Sequence, residues 1–113
     1  MGKFEVTKRK NEEFQFNLKA GNGEIILSSE GYTTKVNCKK GIESVRRNSM
    51  EDSRFERKFT QSGKYYFNLK AINGQIIGTS QMYKTSSGCE TGIQSVKKNA
   101  PSAVIEDLTV QAE

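Results

Sequence analysis

The sequence predicts an α+β fold: tandem duplicated β-β-β-α-β units forming one antiparallel sheet with two helices on one face. Three observations lead there. The chain repeats itself at an offset of 51 residues, each copy opens on alternating apolar and polar residues, and each then turns to an apolar pattern of helical period.

The repeat is read directly. Phe16-Asn17-Leu18-Lys19-Ala20 returns as Phe67-Asn68-Leu69-Lys70-Ala71, Asn22-Gly23 as Asn73-Gly74, and Ile25-Ile26 as Ile76-Ile77. Tyr32, Cys38, Gly41-Ile42, Ser44-Val45 and Asn48 recur as Tyr83, Cys89, Gly92-Ile93, Ser95-Val96 and Asn99. About half of the positions from 14 to 48 repeat identically without a gap. Some fifty residues make a marginal core alone, so the two copies are expected to share one. Residues 1–113 therefore read as a single domain of two repeats, about 4–52 and 55–110.

Each copy begins with a strand, at Phe4–Arg9 with Phe4 and Val6 inward, and at Phe55–Phe59. Loops at Lys10–Glu13 and Thr60–Lys64 close the first hairpins. The next strand alternates Phe14, Phe16, Leu18 and Ala20 with polar neighbours. Asn22-Gly23 suits a type I′ turn, because both central positions of that turn need positive φ. A two-residue loop there pairs Ala20 with Ile25 and Leu18 with Leu27, and sends Ile26 to the opposite face with Asn17 and Lys19. The second copy places Tyr65, Phe67, Leu69, Ala71 and Ile76 inward. Gly78 stands where the first copy has Leu27, leaving room that a residue from outside the hairpin should fill.

After Tyr32 the period lengthens. Cys38, Ile42 and Val45, and equally Cys89, Ile93 and Val96, lie on one face of a helix. Thr34 and Thr85 are the expected N-caps, with Ser87 and Glu90 an alternative capping box. Arg46-Arg47 and Lys97-Lys98 complement the dipole in the last turn, Asn48 and Asn99 suit a left-handed C′ position, and Pro101 stops the second helix. Gly41 and Gly92 each cost a helix about 1 kcal/mol, and recurrence at equivalent sites points to close helix–sheet approach. Ala103–Thr109 returns as a last strand. Residues 53–59 are expected to close the first copy while opening the second. The helix-free face then carries Gln15, Asn17, Lys19, Ile26, Tyr66, Asn68, Lys70 and Ile77.

These residues resemble the YegP-like family of uncharacterised bacterial proteins. The resemblance rests on Phe16–Ala20, Asn22-Gly23, Ile25-Ile26, the Tyr32 region, Gly41-Ile42-Glu43-Ser44-Val45 and their second copies. It covers nearly the whole chain and is nearest to the tandem-repeat members. It implies a β3-αβ unit, duplicated here, with closing strands exchanged between units. It brings no activity or catalytic residue with it.

Composition narrows the function. The 113 residues carry 18 Lys+Arg against 13 Asp+Glu, a net charge of +5 spread over both halves. Histidine is absent, which removes the commonest general base and zinc ligand. No Ser or Cys has a base at a recognised spacing, so no catalytic residue, cofactor or metal is expected and the chain reads as non-enzymatic. Cys38 and Cys89 lie on the apolar helix stripe and read as small packing residues rather than nucleophiles. The pairs Glu12-Glu13 and Glu106-Asp107 read as solvated surface. Gly21-Asn22-Gly23 lacks the spacing and following helix of a phosphate loop. No apolar run reaches the roughly 18 residues that cross a bilayer. The charged N-terminus lacks a signal-peptide core, and Val6 stands where a myristoylation signal needs Ser or Thr. Cytoplasmic location and reduced cysteines are the expectation.

Two binding readings follow. Ile26, Ile77 and Tyr66 form a small apolar strip on the helix-free face, with Lys19 and Lys70 beside it, a candidate surface for an unknown protein partner. The alternative is weak nucleic-acid binding through the same face, since Lys64-Tyr65-Tyr66-Phe67 interleaves aromatics with lysine. Alternation leaves only Tyr66 outside, and Gln15 replaces it in the first copy, so no stacking platform repeats. Because duplication already supplies the second unit, a monomer is expected.

Overall fold

Two hairpin meanders, each followed by a helix, build a seven-stranded sheet in the computed structural model, which describes residues 2–109. Met1 and the expected end of the second repeat at residue 110 lie outside the described residues. The elements run β1 (Lys3–Lys8), β2 (Phe14–Lys19), β3 (Ile25–Ser28), α1 (Lys35–Asn48), a 3-10 turn at Asp52–Arg54, β4 (Phe55–Phe59), β5 (Tyr65–Lys70), β6 (Ile76–Thr79), α2 (Ser86–Asn99) and β7 (Val104–Asp107). The strand order is β4-β5-β6-β3-β2-β1-β7. The two copies meet at the middle, where Ser28 of β3 pairs with its own repeat equivalent, Thr79 of β6. That self-equivalent pair marks a pseudo-twofold axis.

Strand alternation fills one face. Phe4, Val6, Phe16, Leu18, Phe67 and Leu69 are fully buried, and the apolar helix residues Cys38, Ile42, Val45, Ile93 and Val96 close over them. Each helix rests on strands of both copies: α1 on β2, β5 and β6, and α2 on β5 and β3. The core is therefore shared. Thr34 Oγ1 accepts from the Asn37 amide at 3.1 Å and Thr85 Oγ1 from the Gly88 amide at 2.9 Å, so both N-caps form as expected. The close approach expected at the helix glycines comes from tyrosine. A Cβ on Gly41 would overlap Tyr32, and one on Gly92 would overlap Tyr83.

Four expectations need correction. The sheet is mixed, because β7 pairs parallel with β1, while the other strand pairs are antiparallel. This is the exchanged strand: the end of the second copy covers the edge of the first. The Asn22-Gly23 turn is a three-residue loop, not type I′. Gly23 alone has positive φ, at 87°, and the Gly23 amide donates to Ala20 O while Ala20 N donates to Glu24 O. Asn22 instead accepts from the Glu24 amide through its side chain, at 2.9 Å.

The third correction follows from that loop. The extra loop residue pairs Lys19 with Ile25, and a bulge at Ile26 then restores the expected Leu18–Leu27 pair. Ile26 consequently tucks into the core at 3% exposure and Ile25 turns outward at 40%. Ile77 and Ile76 repeat the exchange in β6. Finally, Asn48 and Asn99 are helical, not left-handed. Their side chains bond back to Ser44 O and Ser95 O, each at 2.8 Å, which holds the amide inside the last turn.

Candidate functional site

The helix-free face is built from the outward residues of all seven strands. Of the candidate interaction residues, Lys19, Tyr66 and Lys70 lie on this face, whereas Ile26 and Ile77 belong to the buried core. The apolar strip is therefore absent as drawn. Ile25 and Ile76, directly opposite Lys19 and Lys70, take the outward places.

The lysines are already partnered. Lys19 Nζ lies 2.9 Å from Glu5, and Lys70 Nζ lies 3.0 Å from Glu56, each pair the repeat equivalent of the other. Lys3 joins the first pair, 3.3 Å from Glu5 and 3.0 Å from Glu106 of β7. Lys19, opposed by burial and helped by Lys3, holds the Glu5 carboxyl below its ordinary range. Lys70 and then Asn68 do the same for Glu56. Asn68 also accepts from Thr79 Oγ1 at 2.9 Å, extending the polar row across the middle of the sheet. Such a neutralised row offers a polyanion little unpaired charge, because each phosphate contact would have to displace a carboxylate.

The two cysteines sit elsewhere, on the buried sides of α1 and α2. Both are buried. Burial pushes the Cys38 thiol up to about 11 and raises Cys89 as well. At neutral pH both are protonated, the reverse of what a nucleophile needs. Among the described residues, no three His, Cys, Asp or Glu side chains gather to hold a metal ion. Among the same residues no helix is long and apolar enough to cross a membrane.

Sequence reasoning missed the edge of the sheet. The outer side of β4 carries no neighbouring strand among the described residues, and Phe59 at its end is 65% exposed. Phe59 stacks at a tilt on Tyr65, centroids 4.9 Å apart, and with Ser86, Cys89 and Glu90 they line a recess of about 250 Å³. Arg57, at the position equivalent to Val6, turns to the helix side and binds Glu90 through Nε and, at 2.9 Å, through Nη2. The missed signal was in the chain: residues 53–59 cannot both close one copy and open the next.

Comparison with known proteins agrees with this architecture. A family model described as a domain of unknown function, DUF1508, matches residues 10–56 and again 61–107. The chain belongs to the DUF1508 family. Its two DUF1508 matches start 51 residues apart, the offset of the repeat. Among its relatives, the UPF0339 protein YegP of Escherichia coli K12 is 56% identical over 96% of this chain and 98% of its own. A UPF0339 protein of Acinetobacter baylyi is 49% identical over 96% and 97%. The solution NMR structure of E. coli YegP, titled a protein of unknown function, superposes with a TM-score of 0.92 at 54% identity, covering 98% of this chain and 96% of that one. That of the Shewanella oneidensis UPF0339 protein gives 0.90 at 50% identity, over 95% and 91%. These relatives come without an assigned activity, so DUF1508 membership defines the scaffold and leaves its role to be read from the site.

Proposed function

We propose that this protein is a non-enzymatic binding module that acts as a monomer on a protein partner. The observation that carries the reading is the use made of reactive groups. Lys19 and Lys70 of the helix-free face are paired with carboxylates, and both thiols are buried and held protonated, while the outer side of β4 has no neighbouring strand among the described residues. A scaffold whose chemistry is consumed internally and whose backbone is open along β4 is suited to binding rather than turnover. Two free cysteines favour a reducing compartment, the cytoplasm.

The test is affinity purification from the source cell at mild salt, with protein and nucleic acid measured in the same eluate. A protein recovered in near-stoichiometric amount is expected. Recovery of nucleic acid alone, lost with rising salt and weakened by Lys19→Ala and Lys70→Ala, overturns the reading in favour of nucleic-acid binding. Turnover of a small molecule by the purified chain overturns it in favour of an enzyme.

A further inference from the structure

The outer sides of β1 and β4 are equivalent by the repeat but are treated differently. On one side β7 runs parallel to β1, with Phe4 opposite Ile105, Glu5 opposite Glu106 and Val6 opposite Asp107. The Leu108 amide then donates to Val6 O at 2.9 Å, and Asp107 is held by Lys35 at 3.0 Å. On the other side β4, the equivalent of β1, has no such strand among the described residues. The reason is chain length. The segment equivalent to β7 is residues 53–56, and those residues are taken up by the 3-10 turn and by β4 itself.

We propose that the outer edge of β4 is a docking site for an extended segment of a partner protein, added parallel to β4 as an eighth strand. The inference rests on the binding-module reading and names its site. The filled edge supplies the template for the occupant. An apolar residue sits opposite Phe55, as Ile105 sits opposite Phe4. The residue opposite Arg57 cannot copy Asp107. Lys35 and Lys39, which flank that aspartate, are replaced by Ser86 and Glu90. A carboxylate there would face Glu90 and compete for its Arg57. The exposed ring of Phe59, with Tyr65 and Cys89 beside it, instead offers an apolar lining. The outward residue between these two stands opposite Glu56, as Glu106 stands opposite Glu5. It is acidic because Lys58, on the same face two residues along β4, makes none of the ion pairs found among the described residues and lies within diagonal reach of a carboxylate there. The occupant is thus an apolar–acidic–apolar strand.

A second copy is a poorer occupant. Antiparallel pairing of two β4 edges with both helix layers on one side sets Glu56 against Glu56, Arg57 against Arg57 or Lys58 against Lys58, according to register, and like charges across a strand pair are destabilising. The strand β7 of a second copy would bring Asp107 against Glu90.

The test uses the full chain and two synthetic peptides copying Ser102–Thr109, one unchanged and one with Asp107→Leu. Amide shifts are followed by NMR. The Asp107→Leu peptide is expected to move Phe55–Phe59, Cys89 and Glu90 saturably, and to bind roughly tenfold more tightly than the unchanged peptide. Glu90→Lys in the protein, which restores the charge of Lys39, is expected to reverse that preference. N-methylation of the peptide at Leu108, which removes the amide aimed at Arg57 O, is expected to abolish binding. Shifts confined to β1 and β7, no shift with either peptide at millimolar concentration, or concentration-dependent broadening of β4 without peptide would each overturn the proposal. The last would assign the edge to a second copy. A partner that co-purifies while these peptides fail leaves the binding-module reading standing and ends this inference alone.

Discussion

Leu27 fills the space over Gly78. A Cβ placed on Gly78 would lie 2.7 Å from Leu27 Cγ and Cδ2, inside any real contact. The two residues are repeat equivalents on either side of the pseudo-twofold axis, one residue from the Ser28–Thr79 pair. Two leucines would collide there and two glycines would leave a void, so duplication has allowed one large and one small residue to share the site. Gly78→Leu alone is expected to cost about 1–3 kcal/mol by overpacking and Leu27→Gly alone about 2–5 kcal/mol by cavity formation. The double exchange should be at least ~2 kcal/mol more stable than the sum of the single losses implies. Urea titration of the four proteins measures this, and strictly additive losses would refute the shared site.

Gly41 and Gly92 are held by tyrosine. The Tyr32 ring carbon Cζ would lie 2.8 Å from a Cβ at Gly41, and Tyr83 Cζ 2.6 Å from one at Gly92. Alanine normally improves a helix by about 1 kcal/mol over glycine. Here Gly41→Ala is expected to lower stability by a net ~1–2 kcal/mol. Adding Tyr32→Phe, which removes the nearest atom, should recover part of the loss. A Gly41→Ala protein with a raised thermal midpoint would show the contact to be dispensable.

Glu12 occupies a glycine's place. Its φ is 72°, and its repeat equivalent Gly63 has φ 85°. Side chains are disfavoured in that left-handed region by about 1–2 kcal/mol. Glu12→Gly is expected to stabilise the protein by ~0.5–1 kcal/mol, after allowing for glycine's greater freedom when unfolded. The lost contact between Lys8 and Glu12, 3.6 Å and exposed on both sides, weighs little against this. Gly63→Glu should move the denaturation midpoint the other way, and equal midpoints for all three proteins would contradict the argument.

Asp107 fastens the exchanged strand. Burial raises its pKa, but the bonds from Thr109 and Lys35 outweigh that and bring it to about 2. A carboxyl depressed in the folded state stabilises above its unfolded pKa near 4 and loses that contribution as pH falls toward 2. Asp107→Asn is therefore expected to cost ~1–2 kcal/mol at pH 6 and almost nothing near pH 2. Unfolding curves of both proteins across this range test it. A difference that is constant with pH would mean that the charge is irrelevant to β7.

Much of this fold could be read from the residues. The repeat, the strand starts, the threonine caps, the buried stripes and the space over Gly78 all leave local marks in residue type and spacing. The outward face was harder. Ile25 and Ile26 are the same residue, so a bulge that exchanges them changes no pattern, and the candidate strip was drawn one residue out of register. The parallel closing strand also left no local mark, because strand direction depends on which partner is within reach. Arg57 was the visible clue to the open edge: an arginine stands in an inward strand position where its equivalent is Val6.

The pairing of β7 with β1 also sets the order in which the molecule can be completed. During synthesis β1 emerges first, yet its outer edge stays bare until residues 104–107 leave the ribosome, about a hundred residues later. Contacts so distant in sequence form late. Through most of translation the outer sides of β1 and β4 are both bare, and β7 covers only the first, leaving β4 and β7 as the outer strands among the described residues.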